Sequence, residues 1–109
     1  MGQGKRRRPS HQTKLVLQAF LDAPAEEVYG LQVVKASGVG VGSAYAILRR
    51  LEDEGLVDGH WEQLDPAAAG RPPRRYYRLN ADGHRFAVKA TADDRRALRL
   101  LAPGWGTAR

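Results

Sequence analysis

The spacing of apolar residues predicts a helix near the start of the chain. It is expected at residues 12–22, along an apolar stripe that begins at Leu15. Ser10 or His11 opens it. Pro24 ends it, because proline disfavours helical geometry in the residue before it.

Two further helices follow in quick succession. The second is expected at residues 28–36 and is closed by Gly38, the usual residue type just past a helix end. A glycine-rich segment, residues 38–43, leads into a third helix that runs to Glu54 and stops at Gly55. The apolar positions of this third helix form one stripe: Val41, Ala44, Leu48 and Leu51. Two helices joined by a short glycine turn are typical of a helix-turn-helix.

Alternating apolar and polar residues next predict a β-hairpin. Val57 and Trp61 share one face of a strand at residues 56–63, and a second strand at 74–79 follows a loop at 64–73. Because an isolated hairpin is only marginally stable, we expect this one to pack on the three helices, with Trp61 as its anchor.

A final helix completes the predicted fold. Asn80 is a suitable N-cap, and Thr91–Asp94 resembles a capping box at which the helix breaks and restarts. The fold class is therefore α+β and mostly helical: a winged helix-turn-helix with a three-helix core, a two-stranded β wing and a C-terminal helix. The predicted parts are a flexible basic arm (1–10), the winged helix-turn-helix domain (11–79), the C-terminal helix (80–102) and a tail (103–109).

Positive charge is concentrated in two segments. The net charge is +6, from 18 Lys and Arg against 12 Asp and Glu. Residues 1–14 hold five Lys and Arg and no acid, and residues 64–78 hold four Arg and one Asp. Such clusters indicate a polyanionic partner, and for this fold double-stranded DNA. A solubilising arm and a merely exposed loop are the alternative interpretation.

Several functional classes lack the residues they need. The chain has no cysteine, and its histidines (His11, His60 and His84) lack metal-binding spacing. The glycine-rich turn lacks the lysine of a nucleotide-binding loop. We therefore expect no enzymatic activity, no metal and no cofactor. No stretch approaches the roughly 20 apolar residues of a membrane helix. We accordingly expect a cytoplasmic protein without a membrane partner, associated with the nucleoid when bound to DNA.

Three segments resemble the PadR family of bacterial transcriptional regulators. They are residues 29–33 (YGLQV), 43–57 (SAYAILRRLEDEGLV) and 70–83 (GRPPRRYYRLNADG). Gln32, Ala46 and Asn80 depart from the residue types common in the family. The resemblance implies DNA binding by a winged helix-turn-helix and dimerisation through the C-terminal helix. For some members it also implies binding of aromatic molecules between subunits.

DNA contacts are predicted on the third helix, the wing and the basic arm. The N-terminal part of the second helix of a helix-turn-helix enters the major groove, and an arginine fork fits both guanine and phosphate. The predicted contacts on the third helix are Ser43, Tyr45, Ala46, Arg49 and Arg50, with Tyr45 included because it matches a family DNA-interface position. The others are Lys14, the arm residues Arg6, Arg7 and Arg8, and the wing residues Arg71, Arg74 and Arg75. Three alternatives stay open: Ser43 as a helix N-cap, Arg49 or Arg50 paired with Asp53, and Tyr45 as a residue that only flanks the core.

The predicted function is that of a sequence-specific regulator, a repressor acting as a homodimer on a pseudo-palindromic operator. The predicted dimer contacts are Phe86, Ala90, Ala97, Leu98 and Leu101. One alternative is a winged-helix module for protein–protein contact without specific DNA binding. Another is a multidrug or phenolic sensor, in which Trp61 or Trp105 lines a site for a small aromatic effector. Trp61 is expected in the core instead, and Trp105 in a tail that packs on a partner or is disordered.

Overall fold

A computed structural model describes residues 8–106 as six helices and one three-stranded sheet. In chain order the elements are α1 (His11–Leu21), β1 (Val28–Tyr29), α2 (Gly30–Ser37), α3 (Val41–Asp53), β2 (Val57–Trp61), α4 (Pro66–Ala69), β3 (Arg75–Leu79), α5 (Ala81–Thr91) and α6 (Arg95–Leu101). This is the predicted mostly helical α+β architecture, with β1, α4 and the separate α6 as additions.

Helix α1 begins at a side-chain cap. Ser10 accepts a hydrogen bond from the Thr13 backbone N–H at 3.1 Å, which satisfies a donor that the first helical turn leaves unpaired. Val16 and Leu17 are fully buried, and the helix packs against α2, α3, α5 and α6. Ser10, rather than His11, is therefore the residue that opens the predicted helix.

The turn between α2 and α3 has the predicted geometry. Gly38 adopts a φ of 75°, in the left-handed region that favours glycine at a helix end. The two helices meet at 118°, in the range of about 90–120° typical of a helix-turn-helix. Ala44, Leu48 and Leu51 are buried as predicted. The prediction for Val41 is wrong: it is 58% exposed, because the first residue of α3 lies at the edge of the core.

The sheet has three strands rather than the predicted two. β3 lies in the centre, antiparallel to both β1 and β2. Val28 and Tyr29, expected in the second helix, instead pair with Tyr77 and Tyr76 of β3. Val28 is 2% exposed. Over a segment of two residues, a buried apolar side chain fits the periodicity of a helix and of a strand equally well, so the sequence could not distinguish them.

The hairpin is anchored by a different residue from the one predicted. Val57 is 1% exposed and Tyr77 of the neighbouring strand is 7% exposed, whereas Trp61 is 60% exposed. The prediction that Trp61 anchors the hairpin in the core is therefore wrong. The alternation of apolar and polar residues places Trp61 on the same inner face of β2 as Val57. The helices cover this face at Val57, but the strand extends beyond them at Trp61.

The loop between β2 and β3 contains the short helix α4, which was not predicted. Asp65 accepts a hydrogen bond from the Ala67 N–H at 3.1 Å, and Pro66 follows at the first helical position. Gly70, with φ of 72°, ends the turn. These are ordinary helix start and stop residues, but four residues are too few to show apolar periodicity.

The start of α5 is fixed against the end of the helix-turn-helix. The Asn80 side chain accepts a hydrogen bond from the Gly83 N–H at 2.9 Å and donates one to the Gly55 carbonyl at 2.8 Å. A Cβ atom at Gly83 would lie 1.9 Å from the Leu56 carbonyl oxygen, so only glycine permits this approach. The predicted cap at Asn80 is confirmed.

The predicted C-terminal helix is divided into α5 and α6, with the break at the expected place. The Thr91 hydroxyl donates to a carbonyl of α5, and Asp94 pairs with Lys14 of α1. Neither side chain caps α6, so the predicted capping box is wrong. Arg99 of α6 binds Asp22 at 2.6 Å; this hydrogen-bonded guanidinium lowers the pKa of the Asp22 carboxyl.

Residues 102–106 fold back onto the first two helices. The Gly104 N–H donates to the Ala36 carbonyl at 3.0 Å, and Trp105 Nε1 donates to the Ala19 carbonyl at 2.8 Å. Trp105 is partly buried against the core. The expectation that Trp105 is disordered is therefore wrong, whereas its packing on a partner stays a prediction.

Among residues 8–106, no single helix is long and apolar enough to cross a membrane. Helices α2 and α3 meet that length and composition only when taken together across their 118° bend. Their apolar side chains, including Val33 and Leu48, are buried within the domain.

Candidate nucleic-acid interface

Helix α3 buries one face and exposes the other. The exposed side chains include every contact predicted on this helix: Ser43, Tyr45, Ala46, Arg49 and Arg50. The N-cap residue is Gly40, and Ser43 lies in the first turn. The alternative role of Ser43 as the helix N-cap is therefore excluded. Ser43 is exposed, as are the two arginines of this helix.

Arg49 and Arg50 are the two arginines of α3. In the part of the chain that the structure describes, no ion pair or hydrogen bond engages either guanidinium, so the alternative pairing with Asp53 is not formed. A free guanidinium retains its planar set of donors, which can bind a phosphate or the O6 and N7 atoms of guanine.

Arg71 in the wing loop is engaged by a carboxylate. Its two terminal nitrogens donate to Glu62 Oε1 and Oε2 at 2.8 and 3.1 Å. Glu62 Oε1 also accepts the Arg74 backbone N–H at 3.2 Å. The Arg71 guanidinium lowers the pKa of Glu62, so the pair is ionised at neutral pH. The arrangement closes the base of the loop and uses the donors of Arg71 within the protein.

Arg75 connects the wing to α3. Its Nη2 atom donates to Glu52 Oε2 of α3 at 2.6 Å. A Cβ atom at Gly59 would lie 3.0 Å from both partner atoms, so glycine at this position of β2 makes room for the pair. Arg75 therefore holds the hairpin against α3, a role that the sequence did not reveal.

Arg74 is the remaining predicted wing contact. Its guanidinium carbon lies 4.4 Å from the centre of the Tyr29 ring, a cation–π arrangement that leaves the charge unneutralised. No ion pair holds Arg74 within residues 8–106. Of the three predicted wing contacts, it is the one whose charge is available to a phosphate.

A cleft of about 430 Å³ lies between α3, the start of α2 and the wing. Its walls include Tyr45 of α3, Tyr29 at the start of α2, and Trp61 and Arg74 of the wing. The structure thus brings Tyr45 together with Arg74, both predicted contacts. Tyr29 was not predicted as a site residue, and Trp61 was predicted only as a residue lining a possible effector site. Their positions beside α3 depend on strand pairing and on where the helix layer ends.

A family comparison identifies this arrangement. The sequence model of the Transcriptional regulator PadR-like family matches residues 21–89, which is well over half of the chain. The chain belongs to the PadR-like family. No curated protein sequence matches it at a significant level.

Solved structures with the same fold include two regulators of this family. A PadR family transcription regulator from hypervirulent Clostridium difficile is 18% identical, with a TM-score of 0.61 over 84% of this chain and 95% of the other. A PadR-like transcription factor from Bacteroides fragilis is 22% identical, with a TM-score of 0.59 over 83% and 88%. The circadian clock associated protein Pex from Anabaena is 18% identical, with a TM-score of 0.57 over 82% and 80%. At these identities the likeness establishes the winged helix-turn-helix fold.

Of the N-terminal cations that the structure describes, Arg8 and Lys14 lie apart from the α3 and wing residues of this PadR-like chain. Lys14 is ion-paired with Asp94. Lys14 and the exposed Arg8 line a separate cavity beside Phe86 and Lys89 of α5. The predicted contacts Arg6 and Arg7 lie outside the described residues.

The residues predicted for dimerisation differ in accessibility. Leu98 is fully buried inside the chain, and Phe86 and Ala90 pack partly buried against the core. Ala97 is exposed and Leu101 is 65% exposed. The adjoining Leu100, which was not predicted, is 80% exposed. Of the five predicted contacts, Leu98 is thus placed within its own subunit, while the end of α6 carries accessible leucines.

Proposed function

We propose that this PadR-like regulator binds double-stranded DNA in a sequence-specific way and acts as a homodimeric repressor. The observation that supports this most strongly is the pair of uncommitted arginines on the exposed face of α3. Arg49 and Arg50 lie on the helix that a helix-turn-helix places in the major groove. There a guanidinium fork discriminates guanine from the other bases.

The wing supplies the second part of the proposed interface. Arg74 offers an unneutralised charge at the rim of the cleft beside Tyr45. Phosphate contacts of this kind fix the orientation of a protein on the duplex without reading its sequence. The Arg75–Glu52 pair holds the hairpin against α3, so that phosphate and base contacts are made together.

Dimerisation is proposed to use the end of α6. Leu100 and Leu101 are large apolar side chains exposed side by side, and contiguous apolar exposure of this kind marks interaction surfaces. A two-fold dimer presents two copies of α3 about one helical turn apart, which matches a pseudo-palindromic operator. Occupation of such an operator within a promoter would block transcription.

The function is tested by selecting bound fragments from a random duplex library and following the affinity of the selected duplexes against salt. We expect an inverted repeat, and an affinity that falls linearly with salt on logarithmic axes. Binding that is salt-sensitive but indifferent to sequence would contradict a specific regulator. Absence of binding would favour the protein-interaction module instead.

The dimer is tested separately by sedimentation velocity of a Leu100→Asp and Leu101→Asp double variant. Both side chains are exposed, so we expect the variant to keep its fold, sediment as a monomer and lose affinity for the full inverted repeat. Asp93→Asn, an exposed change before α6, is the control. A variant that sediments like the parent protein would contradict the proposed interface.

A further inference from the structure

Trp61 is an exposed aromatic residue on the inner face of the wing. It shares this face of β2 with Val57 and Gly59, and a Cβ at Gly59 would lie 3.0 Å from Glu52 of α3. Trp61 is two residues beyond Gly59 and lines the same cleft as Tyr45 of α3. Its ring therefore faces the side on which α3 lies, past the point where the core covers the strand, and 60% of the residue is exposed.

The Trp61 ring is supported from within the protein. Arg75 is its cross-strand partner in β3, with the guanidinium carbon 5.3 Å from the ring centre. That guanidinium is itself fixed by Glu52 at 2.6 Å. A ring backed by a fixed cation is positioned before any ligand arrives, which reduces the entropy lost when a ligand covers it.

The chemistry of the cleft matches a sugar–phosphate chain. Its walls combine aromatic rings (Tyr29, Tyr45 and Trp61) with the unneutralised guanidinium of Arg74. A DNA strand alternates apolar deoxyribose with anionic phosphate. The cleft also lies between the two elements assigned to DNA contact, so a duplex on α3 brings one backbone past it.

We propose that the cleft seats the backbone of one strand of the duplex, with the Trp61 ring packed on a deoxyribose and Arg74 paired with an adjacent phosphate. This inference rests on the proposed DNA-binding function and adds a nonionic contact to it. Trp61 then contributes affinity without contributing to the salt dependence, because it releases no counterion.

The test uses the two tryptophans of the chain. In a Trp105→Phe background Trp61 is the only tryptophan, and its emission is followed during titration with an unlabelled mixed-sequence duplex. Affinity and its salt dependence are then measured by anisotropy of a labelled duplex for the parent protein, Trp61→Phe and Trp61→Ala. The midpoint of thermal unfolding of each variant checks the fold.

We expect the duplex to change the emission of Trp61. Trp61→Ala is expected to weaken binding about tenfold, because it leaves roughly 50 Å² of aromatic surface unburied in the complex. The salt slope and the midpoint of thermal unfolding should not change. Trp61→Phe, which keeps an aromatic face, is expected to lose less.

Three results would overturn the inference. If the duplex binds but leaves the emission unchanged, and Trp61→Ala binds like the parent, the cleft does not meet DNA although the proposed function stands. If benzoate changes the emission and the duplex does not, the cleft is a site for small aromatic anions. If the parent protein binds no duplex at all, the proposed function fails together with the inference.

Discussion

The exposed face of α3 carries two arginines and the wing carries four, and the two regions hold them differently. Arg49 and Arg50 of α3 form no ion pair within residues 8–106. In the wing, Arg71 is bound by Glu62 and Arg75 by Glu52, while Arg74 lies over the Tyr29 ring. The wing is the denser basic segment in the sequence, yet it presents one uncommitted cation where α3 presents two.

Arginines that are paired with carboxylates and arginines that are not can serve different purposes. A guanidinium that already satisfies a carboxylate must break that pair before it binds a phosphate, so its charge adds little to DNA affinity. It can instead fix the shape of the surface around it. We infer that Arg71 and Arg75 shape the wing, whereas Arg49, Arg50 and Arg74 meet the duplex.

The largest expected effect comes from removing the α3 cations. Arg49→Ala with Arg50→Ala is expected to weaken binding to the selected duplex by about 100-fold or more, since each well-placed arginine–guanine contact contributes about 1–3 kcal/mol of discrimination. Most of the preference over a scrambled duplex is lost with it. The measurement is anisotropy on both duplexes. Arg85→Ala, an exposed arginine of α5, is the control, and equal losses in the two proteins would contradict the assignment.

A smaller effect of opposite sign is expected from releasing a wing cation. Glu62→Gln removes the charge that holds Arg71 but keeps an amide oxygen able to accept the Arg74 N–H. Affinity for the duplex is expected to rise severalfold and the salt slope to steepen by about one phosphate contact. The measurement is affinity at several salt concentrations. A weaker complex would contradict this expectation. It would show that losing the Arg71–Glu62 pair lowers DNA affinity through the shape of the wing by more than the released Arg71 charge raises it.

The smallest effect concerns an exposed pair beside the wing. Glu27 accepts from His60 at 2.7 Å and raises the pKa of that histidine above its ordinary 6.5. The charged pair therefore stabilises the fold below pH 6.5, and this contribution disappears as pH rises through the raised pKa. His60→Gln should remove that part of the pH dependence of the unfolding midpoint, while His84→Gln should not. An identical pH profile for His60→Gln and the parent would contradict the pairing.

Much of the fold follows from local sequence signals. Ser10, Gly38 and Asn80 end or begin helices through their own hydrogen bonds or backbone angles, so short stretches of sequence suffice to predict them. Val28 and Trp61 could not be placed in this way. Val28 belongs to a strand because β3 lies beside it, and Trp61 is exposed because the core ends before the strand does.

The candidate site likewise has a part that local sequence predicts and a part that depends on the tertiary structure. The exposed face of α3 follows from helical periodicity, which is why its five predicted contacts are all accessible. The state of the wing arginines does not follow, since Glu52 reaches Arg75 from a different element, 23 residues earlier in the chain. Strand register gives a partial signal for Glu62, which directly follows β2 and pairs with the Arg74 backbone at the base of the arginine-rich loop. The sequence shows how many arginines the wing has. Which of them can still bind DNA depends on the carboxylates that pair with them in the folded protein.

The most direct test of this division is the salt dependence of duplex binding for Arg71→Ala and Arg74→Ala, measured side by side with the parent protein. We predict that Arg74→Ala lowers the slope of log affinity against log salt by about one, as for the loss of one phosphate contact. Arg71→Ala should leave the slope unchanged. Equal reductions for both variants would contradict the account, because they would show that the arginine bound by Glu62 meets DNA as readily as the one that is free.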